Sequence, residues 1–148
     1  MWTKPSKTVR TLDGLLPEVR IRAALWMDAY RARTGLSILL TCTFRSAADQ
    51  LAAYRSGASN AKPGFGWHEY GCAVDGVPLV GGKPLWTTHD KAGKMLSEWA
   101  AFGATAKDCG LEWAGDWKSF VEYGHVQHTF GFTIKQVQAN PDILKQHY

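Results

Sequence analysis

From residue 17 to residue 33 the apolar side chains Val19, Ala23, Trp26, Met27 and Tyr30 recur at spacings of three and four, which places them on one face of a helix. Gly35 follows as its C-terminal cap. Residues 37–44 break that period. They are short, apolar and β-prone, and predict a strand buried on both faces that ends at Arg45. Ser46, with Asp49 three residues on, forms an acidic capping box that opens a second helix through Tyr54, closed by Gly57. Residues 56–66 hold Gly57, Pro63, Gly64 and Gly66 and predict a loop that delivers the chain to His68. Gly71 then allows a turn into a short strand over 72–75.

The segments 77–80 and 83–86 flank Gly81-Gly82, a two-residue turn signal for a hairpin, and Pro78 and Pro84 confine both strands to a sheet edge. A third helix is predicted over 88–109, with Ala92, Met95, Leu96, Trp99, Phe102 and Ala106 on one side and Gly110 at its end. A last strand is expected over 125–130. There is no internal repeat, low-complexity segment or linker, so 148 residues with 45% hydrophobic content predict one domain, 1–148, that buries a core without disulfides. The longest apolar stretches, 36–40 and 23–27, fall far short of the roughly 20 residues of a membrane span.

Composition alters this picture little. Cys42, Cys72 and Cys109 are widely spaced, odd in number and form no Cys-x-x-Cys pair, which argues against a disulfide framework and a thiolate zinc site and reads as three buried thiols. A formal charge of +4, spread along the chain, suits a bacterial envelope and a nucleic acid equally.

Candidate chemistry changes it more. His68 lies in a glycine-rich loop, with Asp75 seven residues later at the end of a buried strand, where a carboxylate is costly unless a cation or hydrogen bonds compensate. Glu122 precedes His125 by three residues. In a regular strand those two point to opposite faces, so both address one site only if the chain bends, and Gly124 permits that bend. Two imidazoles and one carboxylate form a catalytic zinc set that leaves a position for water, whose pKa the metal lowers to about 7. His68, Asp75 and His125 supply the set, Glu122 the general base, and Arg45 a cation to steady an oxyanion. Taken singly, each has a plainer reading: His68 as a surface residue, Asp75 as a turn cap, Glu122 as a solvated acid, Arg45 as an ion-pair partner. Asp116 reads as a turn residue that could also support a ligating histidine. Trp67, Trp113, Trp117 and Tyr123 line the cleft or pack the core, Trp113 being assigned to the core. His89 and His147 read as surface residues, and His128 faces away from the metal.

Three runs taken together carry a resemblance. They are Thr43-Phe44-Arg45-Ser46 with Gln50, His68-x-x-Gly71-x-Ala73-x-Asp75, and Gly110-Leu111-Glu112-Trp113-x-Gly115-Asp116-Trp117-Lys118-Ser119-Phe120 followed by Glu122-x-x-His125. In this order, over roughly residues 41–127, the chain resembles the D-alanyl-D-alanine carboxypeptidase and L-alanyl-D-glutamate endopeptidase family of zinc peptidases, especially its phage endolysin branch. The resemblance implies an α+β fold, a small antiparallel sheet with packed helices, shared with the zinc-binding domain of hedgehog proteins. It also implies zinc on His68, Asp75 and His125, Glu122 as base, Arg45 as a substrate or transition-state contact, and peptidoglycan stem peptides as substrate. Three positions depart from the family's pattern. Gly66 stands where Ser is common, Ala114 stands where endolysin relatives have a first glycine, and at 122 those relatives often carry Asp, whereas Glu122 resembles the carboxypeptidase and dipeptidase branches.

The expected activity is therefore hydrolysis of the L-alanyl-D-glutamate or a nearby stem bond, with a D-alanyl-D-alanine carboxypeptidase as the alternative. Basic Lys4 and Lys7 are followed by no apolar block of about 7–15 residues, so synthesis in a host cytoplasm and action on the wall after release are expected, by a monomer. A non-catalytic zinc module that binds cell-wall peptides is a second class, against which the presence of both Glu122 and Arg45 argues. A small nuclease using His125 and His128 is a third, dismissed if DNA is not bound at moderate salt. No nucleic-acid partner is expected.

Overall fold

The computed structural model describes all 148 residues. Helix α1 (Pro17–Thr34) begins on a proline and ends on Gly35 in the left-handed region, φ +73°. Its stripe of Val19, Ala23, Trp26 and Tyr30 is fully buried, and two polar tips on that stripe find carbonyl acceptors. The Trp26 indole N–H donates to Phe102 O at 3.0 Å and the Tyr30 hydroxyl to Glu98 O at 2.8 Å. Both acceptors lie on helix α3 (Ser97–Asp108), so the two helices are fastened by hydrogen bonds as well as by apolar contact.

These helices pack on an antiparallel sheet of β1 (Ser37–Cys42), β2 (Ala73–Val80), β3 (Lys83–Pro84), β4 (Glu112–Trp113) and β5 (His125–Gln127). Its order is β1-β2-β5-β4, with β3 folded back on β2. Together with the helices this is the α+β arrangement expected from the sequence. Helix α2 (Ala47–Ser56) follows β1, capped by Ser46 Oγ, which accepts from the Asp49 N–H, and closed by Gly57 at φ +80°. The short helix α4 (Ile134–Ala139) and a 3-10 turn over Pro141–His147 finish the chain.

Four expectations are corrected. β1 is the edge of the sheet and exposes Leu39, so it is not buried on both faces. The segments 72–75 and 77–80 are one strand, β2, which runs through the sheet interior. Pro78 sits there opposite Ile38, and its carbonyl accepts from Leu85 N–H, so only Pro84 is an edge proline. The third helix starts at Ser97 and not at residue 88, because Asp90 Oδ1 accepts from the N–H groups of Ala92 and Lys94 and Gly93 turns left-handed, which locks 90–94 as a loop. Strand β5 stops at Gln127, where Phe130 at φ +55° and Gly131 turn the chain away. Of the three thiols Cys42 and Cys72 are buried, while Cys109 is partly exposed. No helix is long and apolar enough to cross a membrane.

Candidate active site

The sheet register assembles the site. Asp75 on β2 lies opposite His125 on β5 and opposite Cys42 on β1, so three side chains form a row across neighbouring strands. Between Leu40 and Cys42 the β1 register slips by one residue, and Thr41 bulges at the wall of the cleft. His68 reaches the row from a one-turn 3-10 helix, Trp67–Tyr70, which ends on Gly71 at φ +70°. Buried Glu69 holds that turn in place by accepting from the N–H groups of Gly64 and Gly66.

Asp75 is the hub. His68 Nε2 lies 3.1 Å from its Oδ2, and His125 Nδ1 lies 3.0 Å from its Oδ1. The Arg45 guanidinium stands 3.5 Å from Oδ2 and also donates to Gln50 Oε1 at 3.1 Å. Glu122 Oε2 lies 3.7 Å from His125 Nδ1, and its carboxylate is 44% exposed where the histidines are nearly sealed. The bend that brings Glu122 and His125 together is a turn in which His125 N–H donates to Glu122 O. Gly124 is needed there for close approach and not for an unusual φ, since a Cβ would stand 2.6 Å from Gly76 O.

Electrostatics couple His68 to Asp75. Burial disfavours charge on the imidazole, yet the carboxylate beside it prevails and raises the His68 pKa from 6.5 to about 10. Burial likewise opposes ionisation of Asp75, but His68 and the hydrogen bonds from both histidines hold its carboxyl far below the usual range. Without a cation, the pair shares a proton held by charge.

The donor set fits a divalent metal. His68 Nδ1 faces the Thr43 carbonyl at 3.4 Å, and a carbonyl only accepts, so the proton on that side belongs to the ring and Nε2 is the atom turned to Asp75. His125 Nε2 faces Gln127 Oε1 at 2.8 Å, which leaves Nδ1 turned to the same carboxylate. Two imidazole nitrogens and a carboxylate thus converge, each ring steadied from behind by an oxygen. Cys42 also belongs to this neighbourhood. Its Sγ and the ligand atoms of His68 and Asp75 all lie within 4.8 Å of one another.

The row opens into a cleft of about 380 Å³. Trp67, Trp117 and Tyr123 line it, while Trp113 is core, its indole donating to Tyr123 O. Trp86 and Phe120 stand on the rim, 66% and 64% exposed, Phe120 with φ +51°. Neither was read from the sequence as part of the site, because a lone aromatic in a turn carries no periodic signal. Cys42 is brought to the site by its pairing with Asp75 across β1 and β2, which no local signal in the sequence gives. Asp116 lies in the turn Ala114–Asp116, as a turn residue, and pairs with Lys107 at 2.9 Å on the surface. His89 packs on Tyr123 and His147 stacks on Phe130, so both are partly buried and not free surface residues. His128 lies outside the row, against Phe130.

The departure at Gly66 has a local cause. A Cβ there would meet Gln50 Oε1 at 2.8 Å, and Gln50 is held by Arg45, Ser59 and Ala61. The glycine makes room for a buried amide that orients the arginine.

Comparison with known proteins agrees with this geometry. The family described as D-alanyl-D-alanine carboxypeptidase matches residues 59–128, which include His68, Asp75, Glu122 and His125. The peptidoglycan L-alanyl-D-glutamate endopeptidase CwlK of Bacillus subtilis (strain 168) is 31% identical over 110 residues, covering 68% of this chain and 66% of that one. The L-alanyl-D-glutamate peptidase of Listeria phage A118 is 30% identical over 127 residues, covering 84% of this chain and 42% of that one. The chain therefore spans just under two thirds of the first relative and less than half of the second. Among solved structures, the Serratia marcescens L-Ala D-Glu endopeptidase ChiX superposes with a TM-score of 0.62 at 24% identity, covering 86% of this chain and 92% of that one. The LdcB LD-carboxypeptidase superposes with a TM-score of 0.61 at 17% identity, over 94% and 75%. Both share the fold. On its motifs, its register-built site and these relatives, the chain is similar to the family described as D-alanyl-D-alanine carboxypeptidase.

Proposed function

We propose that the protein is a zinc-dependent peptidase that hydrolyses a stem-peptide bond of bacterial peptidoglycan, the bond between L-alanine and D-glutamate. The observation that carries this reading is the convergence of His68 Nε2 and His125 Nδ1 on the two oxygens of Asp75, with Glu122 Oε2 3.7 Å from the second ring at the mouth of a cleft. His68, Asp75 and His125 hold the metal. Zinc in that position supplies Lewis acidity, lowering the pKa of a water to about 7 and polarising a carbonyl.

The chain's own groups do the rest. Glu122, outside the ligand row and open to solvent, takes the proton of the attacking water and returns it to the leaving amine. Arg45 is fixed by Gln50 on one side and Asp75 on the other, so its guanidinium faces the cleft already oriented for the oxygen that gains charge during attack. Trp67, Trp117 and Tyr123 wall the cleft and exclude water around the peptide. The L-alanyl-D-glutamate bond is supported by the names of both curated relatives, and the phage relative supports lysis as the setting. The presence of Glu at position 122 keeps removal of a terminal D-alanine as the second reading.

The test is a digest of purified cell walls by zinc-loaded protein, read by mass spectrometry. New amino termini on D-glutamate are expected. Loss of a terminal D-alanine alone would favour the second reading, and walls left intact would refute both.

A further inference from the structure

We propose that Glu112 and Gln127 are positioning residues that fix the tautomer of His125 and so set how tightly the site holds zinc; this rests on reading His125 as a zinc ligand. Neither residue touches Asp75 or the proposed metal position. They act through His125, and the sheet explains how. His125 and Gln127 are two apart on β5 and share a face, while Glu112 on β4 is the cross-strand partner of Gln127. Glu112, Gln127, His125 and Asp75 therefore form one continuous polar row.

The direction of each hydrogen bond in that row is forced by the one before it. As a carboxylate, Glu112 only accepts. Its Oε1 takes the Trp117 indole N–H at 3.1 Å, and its Oε2 takes the Gln127 amide N–H at 2.8 Å. Gln127 must therefore turn its NH2 to Glu112 and its oxygen to His125. That oxygen carries no proton, so at 2.8 Å from His125 Nε2 it requires the ring proton there. Nδ1, which faces Asp75 Oδ1 at 3.0 Å, is then the nitrogen that offers its lone pair once a metal is bound. Were Glu112 absent, the Gln127 amide could rotate and offer its NH2 to Nε2, which moves the ring proton to Nδ1, where it competes with zinc. Gln127 is 4% exposed, so the amide is shielded on the His125 side, whereas Glu112 holds its other end from the surface. The Trp117 ring, 5.6 Å from His125 and tied to the same carboxylate, braces the arrangement.

The test measures zinc dissociation constants by chelator competition, together with the NMR signal of the His125 Nε2 proton in the zinc form. Gln127→Leu, which removes the acceptor at nearly constant size, is expected to weaken zinc by about 10–100-fold and Glu112→Ala by about tenfold. In Glu112→Ala the Nε2 proton should exchange faster with water while the His68 Nδ1 proton, bonded to Thr43 O, is unchanged. The exchanged pair Glu112→Gln with Gln127→Glu restores every bond: the carboxylate at 127 accepts from His125, and the amide at 112 donates to it and accepts from Trp117. Zinc affinity within about threefold of wild type is expected there, an outcome that packing alone does not predict. Wild-type protein that binds zinc while Gln127→Leu and Glu112→Ala bind it as tightly overturns the relay alone. Wild-type protein that takes up no zinc overturns the reading of the metal site, and the relay with it.

Discussion

The floor of the cleft and its rim are built by different means. On the floor, His68 and His125 are 4% and 8% exposed, come from a capped turn and a sheet strand, and have both ring nitrogens engaged. On the rim, Glu122, Trp86 and Phe120 come from turns and are exposed. On the floor, sheet register sets Asp75 opposite His125, and a one-residue slip would separate them. The rim is open, which suits the base and the substrate wall proposed for it. On the proposed reading, holding an ion and moving a proton fall to different side chains, which approach each other at 3.7 Å between Glu122 and His125.

The sharpest break of that division is Asp75→Ala. The hub is gone and two buried imidazoles remain, so bound zinc should fall from about one per chain to near zero, with activity at background; elemental analysis of dialysed protein checks it. Glu122→Ala is the contrasting case. It should keep the zinc and lose about 10²–10⁴-fold in kcat, and a variant that loses its metal as well would erase the distinction between floor and rim. Arg45→Ala removes a cation that belongs to both regions. A loss of about 10²–10³-fold in kcat is expected, with zinc affinity little changed, from steady-state kinetics beside a metal titration.

pH sharpens the account of the floor. With the His68 pKa raised to about 10 by Asp75, the metal-free site carries a proton at neutral pH that zinc must displace. Zinc affinity should therefore rise by about tenfold per pH unit from this group below pH 10, and level off above it. Calorimetry in buffers of different ionisation heat would count the released proton. The smallest effect is expected at Gly66→Ser. The family's common residue should destabilise this chain by about 1–3 kcal/mol, because its Cβ meets Gln50 Oε1, and the melting temperature reports it.

The same contrast explains what could be read from the sequence. His68, Asp75, Glu122 and His125 were legible because the motif spacings carry them, and α1, α2 and the Gly81-Gly82 hairpin because period, caps and turn residues agree. Residues 88–96 are loop although Ala92, Met95 and Leu96 keep a helical spacing that predicts helix. The side chain of Asp90 captured the backbone first, and propensity does not weigh that competition. β1 looked doubly buried because composition does not reveal which strand ends a sheet. Cys42, Glu112 and Gln127 stayed unread as parts of the site because only strand register, which is non-local, sets them beside Asp75 and His125.

The central claim is tested most directly by anomalous scattering at the zinc edge from crystals of the zinc-loaded protein. One peak is predicted, with His68 Nε2, an Asp75 oxygen and His125 Nδ1 each about 2.0–2.2 Å away. A peak bound instead by Cys42 Sγ with His68 and Asp75, or no peak in this row at all, would contradict the ligand set and the mechanism built on it.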